Sequence, residues 1–142
     1  MTSSRIYSLL KASIILLSCA VAADASADRF DEHDIFGDYV FTFDGSAGGV
    51  PIAAVGRFFG DGKGNLLNAS RTLVVGGAPA PVQQSFQCTY VVRGDGRGTA
   101  DCTVAGATPE SFSFILFDNG RQTYFVGTTP GVVIHGNATR QK

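Results

Sequence analysis

Tryptophan is absent from this chain of 142 residues. An immunoglobulin-like sandwich therefore lacks the ring it packs against its inter-sheet cystine. Long apolar runs are missing too. The longest, Ala12 to Ala23, is broken by Ser13 and Ser18 and is short for a membrane-spanning helix, and nothing later in the chain exceeds it. Beyond that segment helical periodicity is essentially absent, and eighteen glycines would penalise any long helix. No Gly-x-Ser-x-Gly elbow offers a nucleophile, and no Asp-x-Asp-x-Asp-Gly loop offers a calcium site. Neither Lys nor Arg forms a stripe, which argues against nucleic acid or an anionic lipid surface as partner.

What the chain has instead is a repeated turn signal. Gly60-Asp61-Gly62-Lys63-Gly64 and Gly94-Asp95-Gly96-Arg97-Gly98 each join two stretches of alternating apolar and polar residues. Such steps supply the positive φ that a hairpin tip needs. A looser tip, Asp118-Asn119-Gly120-Arg121, joins two more. The two matching tips lie 34 residues apart, but their flanks match only in apolar character, so one good turn is reused and no solenoid period follows. Eight short strands are expected. They lie around Tyr39–Phe43, Ile52–Phe59, Leu66–Val75, Ser85–Val92, Thr99–Val104, Phe112–Leu116, Thr123–Thr128 and Val132–Arg140. Pro79 and Pro81 break the ladder after the third. The expected fold is all-β, an eight-stranded antiparallel up-and-down barrel, with a β-sandwich as the competing architecture.

The chain divides into an export signal over 1–23, a short acidic leader over 24–36 and a barrel domain over 37–142. Arg5 and Lys11 give the basic start, and Val21-Ala22-Ala23 before Asp24 is one cleavage site, Ala25-Ser26-Ala27 another. Leu16-Leu17-Ser18-Cys19 resembles a lipobox, the alternative being a lipoprotein anchored through Cys19. Secretion or a periplasmic location is the leading expectation. Cleavage before Asp24 removes two of eleven basic residues and leaves nine against twelve acidic ones, a net charge of about −3. Cys88 and Cys102 remain, and an even pair in an exported chain points to a disulfide, with a metal site or two free thiols as alternatives. A hairpin centred on Asp95 sets the two directly opposite each other, a tight but feasible geometry.

Gly37-Asp38-Tyr39 opens the first strand after a single helical turn, and Arg140 lies on the last strand. This arrangement resembles the calycin superfamily, whose lipocalins open with Gly-x-Trp and pack a late Arg over it at the closed end. Here Tyr39 stands where the Trp would be. In size and strand count the chain is also similar to allene oxide cyclase-like barrels. The resemblance implies an apolar cavity for one small ligand, and in the cyclase-like case an isomerising or cyclising activity without a cofactor.

Candidate residues follow from this frame. The aromatic set Tyr39, Phe41, Phe43, Phe58, Phe86, Tyr90, Phe112, Phe114 and Tyr124 could line a cavity, with Tyr39, Phe86, Tyr90, Phe112, Phe114 and Tyr124 as the expected wall, although aromatic side chains can equally fill a barrel of this size. Arg57, Arg71, Asp101 and Glu110 are the charged residues within or beside strands. Outward they are ordinary edge and solubility devices; inward they would be polar anchors for a ligand carboxylate or enolate. Arg57 or Arg71 is the expected anchor, and the parity of both is open. Asp101, opposite in parity to Cys102, should face outward. His135 is the one histidine inside the strand framework and, with Arg71, the only candidate for catalysis. The segment from Asp28 to Phe36, with Phe30, Ile35 and Phe36 apolar, is expected to form a single helical turn that plugs one end of the fold. Asp28, Asp31, Glu32, His33 and Asp34 read as a solvated acidic leader and not as a metal site. Asn68 and Asn137 begin glycosylation-type triplets, relevant only in a eukaryotic secretory route. The leading expectation is an exported binder of a small apolar ligand without catalysis or cofactor. The alternatives are a cyclase-like enzyme and a solid-core interaction protein with an exposed apolar patch.

Overall fold

The computed structural model describes residues 29–142, so the expected signal, its cleavage sites and Cys19 lie outside the described residues. After a short 3₁₀ turn, Glu32–Asp34, eight strands follow: β1 (Phe36–Ala47), β2 (Val50–Asp61), β3 (Asn65–Val75), β4 (Val82–Val92), β5 (Arg97–Val104), β6 (Glu110–Phe117), β7 (Gln122–Gly127) and β8 (Val132–Arg140). Each pairs antiparallel with the next, and β8 closes on β1, giving an up-and-down barrel without sheet edges.

The tips work as their residues require. Asp61 accepts from the backbone N–H of Lys63 at 2.7 Å and of Asn65 at 3.0 Å, and Asp95 accepts from that of Arg97 at 3.1 Å. The aspartate repeated in the two tips is thus an Asx cap. Hydrogen bonds from Asn65 are the main reason the Asp61 carboxyl is held below its ordinary range. In the third tip the Arg121 N–H donates to the Asp118 carbonyl at 3.0 Å, and the two residues between them, Asn119 and Gly120, adopt φ of 51° and 72°, the left-handed pair that a tight hairpin turn demands.

Inside the barrel, rings face small residues. Phe41 lies opposite Gly56 on β2 and Ala138 on β8; Phe43 lies opposite Ala54 and Gly136. Phe112 lies between Ala100 and Gly127, and Phe114 meets Gly98. The complementarity is tight: a methyl group added at Gly98 would sit 2.2 Å from the Phe114 ring. Glycines that depress strand propensity therefore serve here as sockets for phenyl rings.

The 3₁₀ turn plugs one end. Asp31 and Asp34 cap it reciprocally, the Asp31 carboxylate accepting from the His33 N–H and the Asp34 carboxylate from the Asp31 N–H. Glu32 accepts from the Val92 N–H at 3.0 Å, tying the turn to β4. Three acids of the leader thus hold the plug in place. Phe30 and Ile35 pack beneath it against the core. The opposite end, ringed by the β1–β2, β3–β4, β5–β6 and β7–β8 loops, is the mouth.

Candidate functional site

β4 and β5 bring Cys88 and Cys102 directly opposite each other, with Cα atoms 4.0 Å apart and the disulfide formed on the inward face. The bridge is part of the inner wall, alongside Phe86 and Tyr90 from β4 and Phe112 and Phe114 from β6. These four candidates line an internal cavity together with Tyr39. Phe41, also in the lining, is the hub of the aromatic cluster, with ring centroids 5.9 Å from Phe86, 6.1 Å from Phe58 and 6.5 Å from Phe125. The cavity measures about 90 Å³. One water needs only ~10–15 Å³ on this kind of measure, so the rings do not fill the barrel.

The floor is built by two tyrosines whose hydroxyls point away from the cavity into the plug. Tyr39, 1% exposed, donates to the carbonyl of Gly120. Tyr90 donates to the Glu32 carbonyl at 2.9 Å, with the Ile35 carbonyl at 3.2 Å. Burial pushes both phenols up, Tyr90 to about 12. Their rings are wall, and their polar atoms are committed to closing the end.

Of the two arginines considered as a polar anchor, Arg71 is the one that faces the interior. A bulge in β3 puts it there. The β3–β4 register shifts between Leu66 and Ala69, with Asn68 at φ of 51°, so the inward parity passes from Leu66 to Ala69, Arg71 and Leu73. Arg71 is 5% exposed. Its guanidinium lies 5.6 Å from the Phe43 ring and 5.7 Å from the Phe86 ring. Nε donates to Gln84 at 2.8 Å, and the two terminal nitrogens donate to the Glu110 carboxylate at 2.8 and 2.7 Å. This two-pronged pair crosses the upper barrel from β3 to β6, and its members are the only charged residues lining the cavity among the described residues.

Three expected site residues lie elsewhere. Arg57 pairs with Val40 and Ser70 on outward positions and borders a shallow groove on the outer surface. Tyr124 points outward, 60% exposed and stacked on Phe117 at 5.0 Å, while its neighbour Phe125 takes the inward place opposite Phe114. His135 is also outward; its side chain is 73% exposed and its nearest charged partner is Asp44, at 3.8 Å. Asp101 faces outward as expected and accepts from the Ser111 hydroxyl at 2.6 Å.

Phe125 was not among the expected wall residues, although a β6–β7 hairpin centred on its tip sets it opposite Phe114. Glu110 begins β6 and turns inward to meet Arg71, so these two of the four charged strand residues are the inward ones. Compared with protein-family models, curated proteins and solved structures, the chain finds no match in any of the three.

Proposed function

We propose that this protein is an exported barrel that holds one small apolar ligand and does not transform it. The observation that carries this reading is the cavity itself. It is lined by aromatic rings, aliphatic side chains and a disulfide, and its one charged feature among the described residues is the Arg71–Glu110 pair. Export is supported by the disulfide, which persists in oxidising compartments, and by the signal-like first 23 residues. The calycin-like reading gains support from the closed end. There Tyr39 and Arg140 are register partners, and the Arg140 guanidinium donates to the Phe36 carbonyl at 3.3 Å beside Gly37.

A cyclase-like activity is the second reading and now rests on Arg71 alone, since His135 lies on the outer surface. A solid-core interaction protein is disfavoured by the open interior.

The test is a fluorescence titration with an apolar probe, phenylnaphthylamine, against wild type and Ala100→Leu. Ala100 is buried on β5 and lines the cavity, so the larger side chain occupies the space a ligand needs. Saturable uptake at one probe per barrel, lost in a folded Ala100→Leu variant, is expected. Absence of uptake by wild type, or equal uptake by both, would overturn the reading.

A further inference from the structure

Glu110 and Arg71 are not equivalent halves of their pair. Arg71 sits midway along β3, held by two phenyl rings and Gln84, and is 5% exposed. Glu110 is the first residue of β6, directly after Thr108-Pro109 at the mouth, and its side chain is 21% exposed. The Glu110 carboxylate is therefore the half of the pair nearer to water, and Arg71 the half held in place by its neighbours. A guanidinium fork offers two parallel donors, and the group that matches it is a carboxylate. The other interior surfaces reached from the mouth are chiefly phenyl rings and the disulfide.

We propose that the ligand is an amphiphilic carboxylic acid whose carboxylate takes the place of Glu110 on Arg71, its apolar part lying on Phe41, Phe86 and Phe112. Glu110 is then a built-in competitor: in the free protein it keeps the buried guanidinium paired, and on binding it swings to the solvent. The exchange conserves charge inside the barrel. One carboxylate leaves Arg71 as another arrives, so no charge is stranded in the apolar interior. This inference rests on the ligand-holding reading above and adds the chemical class of the headgroup.

The experiment measures displacement of phenylnaphthylamine by decanoate and by decanol, which share a chain length and differ in headgroup. The readout is the ratio of the two affinities in wild type, Glu110→Gln and Arg71→Met. Removing the competitor leaves a buried cation that only a ligand carboxylate can pair. The decanoate-to-decanol ratio should therefore rise about tenfold or more in Glu110→Gln. It should fall about tenfold or more in Arg71→Met, and if Glu110→Gln does not fold, that fall against wild type carries the test. A ratio unchanged across the variants while both compounds bind would overturn the carboxylate inference and leave the ligand-holding reading standing. Failure of both compounds and of the probe itself to bind wild type would overturn both.

Discussion

Removing one half of the Arg71–Glu110 pair and removing both should have opposite consequences for stability. Glu110→Leu leaves a guanidinium that is 5% exposed without its carboxylate, facing two phenyl rings and a single amide oxygen. Stranding one charge of a buried pair costs roughly 3–5 kcal/mol. The lower end applies because the Glu110 side chain keeps 21% exposure and water already reaches that side of the pair. About 3 kcal/mol corresponds to a fall in Tm of about 12 °C for a domain of this size. The double variant Arg71→Met/Glu110→Leu strands nothing and adds apolar contact with Phe43 and Phe86. Such replacements are neutral or stabilising by about 1–4 kcal/mol. Urea unfolding of the two singles and the double, read at equilibrium, supplies the cycle. A double variant as unstable as Glu110→Leu, or as unstable as the two singles combined, would refute the claim that the pair is a buried charge couple.

Further outcomes follow from other parts of the fold. Gly98→Ala brings a methyl group to within 2.2 Å of the Phe114 ring, an overpacking that should cost about 2 kcal/mol in urea unfolding. Full stability in that variant would mean that the socket is loose. Cys88 and Cys102 are 14 residues apart, and replacing both with Ala should cost about 3 kcal/mol on the chain-entropy argument; an unchanged midpoint would show that the hairpin is already closed in the unfolded chain. Tyr90 keeps its proton to about pH 12 when folded and releases it near pH 10 when unfolded. Its contribution is therefore complete below about pH 10 and falls away as pH rises toward 12, so Tyr90→Phe should flatten that alkaline decline. A decline of unchanged steepness in Tyr90→Phe would refute the assignment. Arg57→Ala and His135→Ala, both on the outer surface, should leave probe uptake within about twofold of wild type, less than half a kcal/mol.

How far the sequence carried the structure depended on whether one local rule sufficed. The barrel and the cysteine pairing were legible because both follow from tip residues and period-two alternation, which fix register when one face is apolar. The β4 face (Phe86, Cys88, Tyr90) and the β6 face (Phe112, Phe114, Leu116) came out correctly for the same reason. β7 failed because both of its faces carry an aromatic and a β-branched or small residue: Tyr124 and Val126 outside, Phe125 and Gly127 inside. Alternation without contrast gives no direction. Arg71 was undecidable for a different reason, since the bulge at Asn68 shifts the parity of β3 in mid-strand and the residues around it carry no clear bulge signal. The leader forms the end-plugging helical turn expected of it, but its charges were read as solvent-facing, whereas Asp31 and Asp34 cap the turn and Glu32 tethers it to β4, a contact that appears only once β4 is brought against it. The glycines were read as turn-forming and helix-penalising residues, whereas Gly56, Gly98 and Gly136 make room for rings from neighbouring elements.

The measurement closest to the central claim is native mass spectrometry of the mature protein, purified gently from its native host and then extracted with organic solvent. A discrete added mass that extraction removes, belonging to a small apolar compound and present at one per chain, is the predicted result. A clean apo mass that stays clean after incubation with apolar acids, alcohols and hydrocarbons would contradict the account and leave the cavity a packing feature without a ligand.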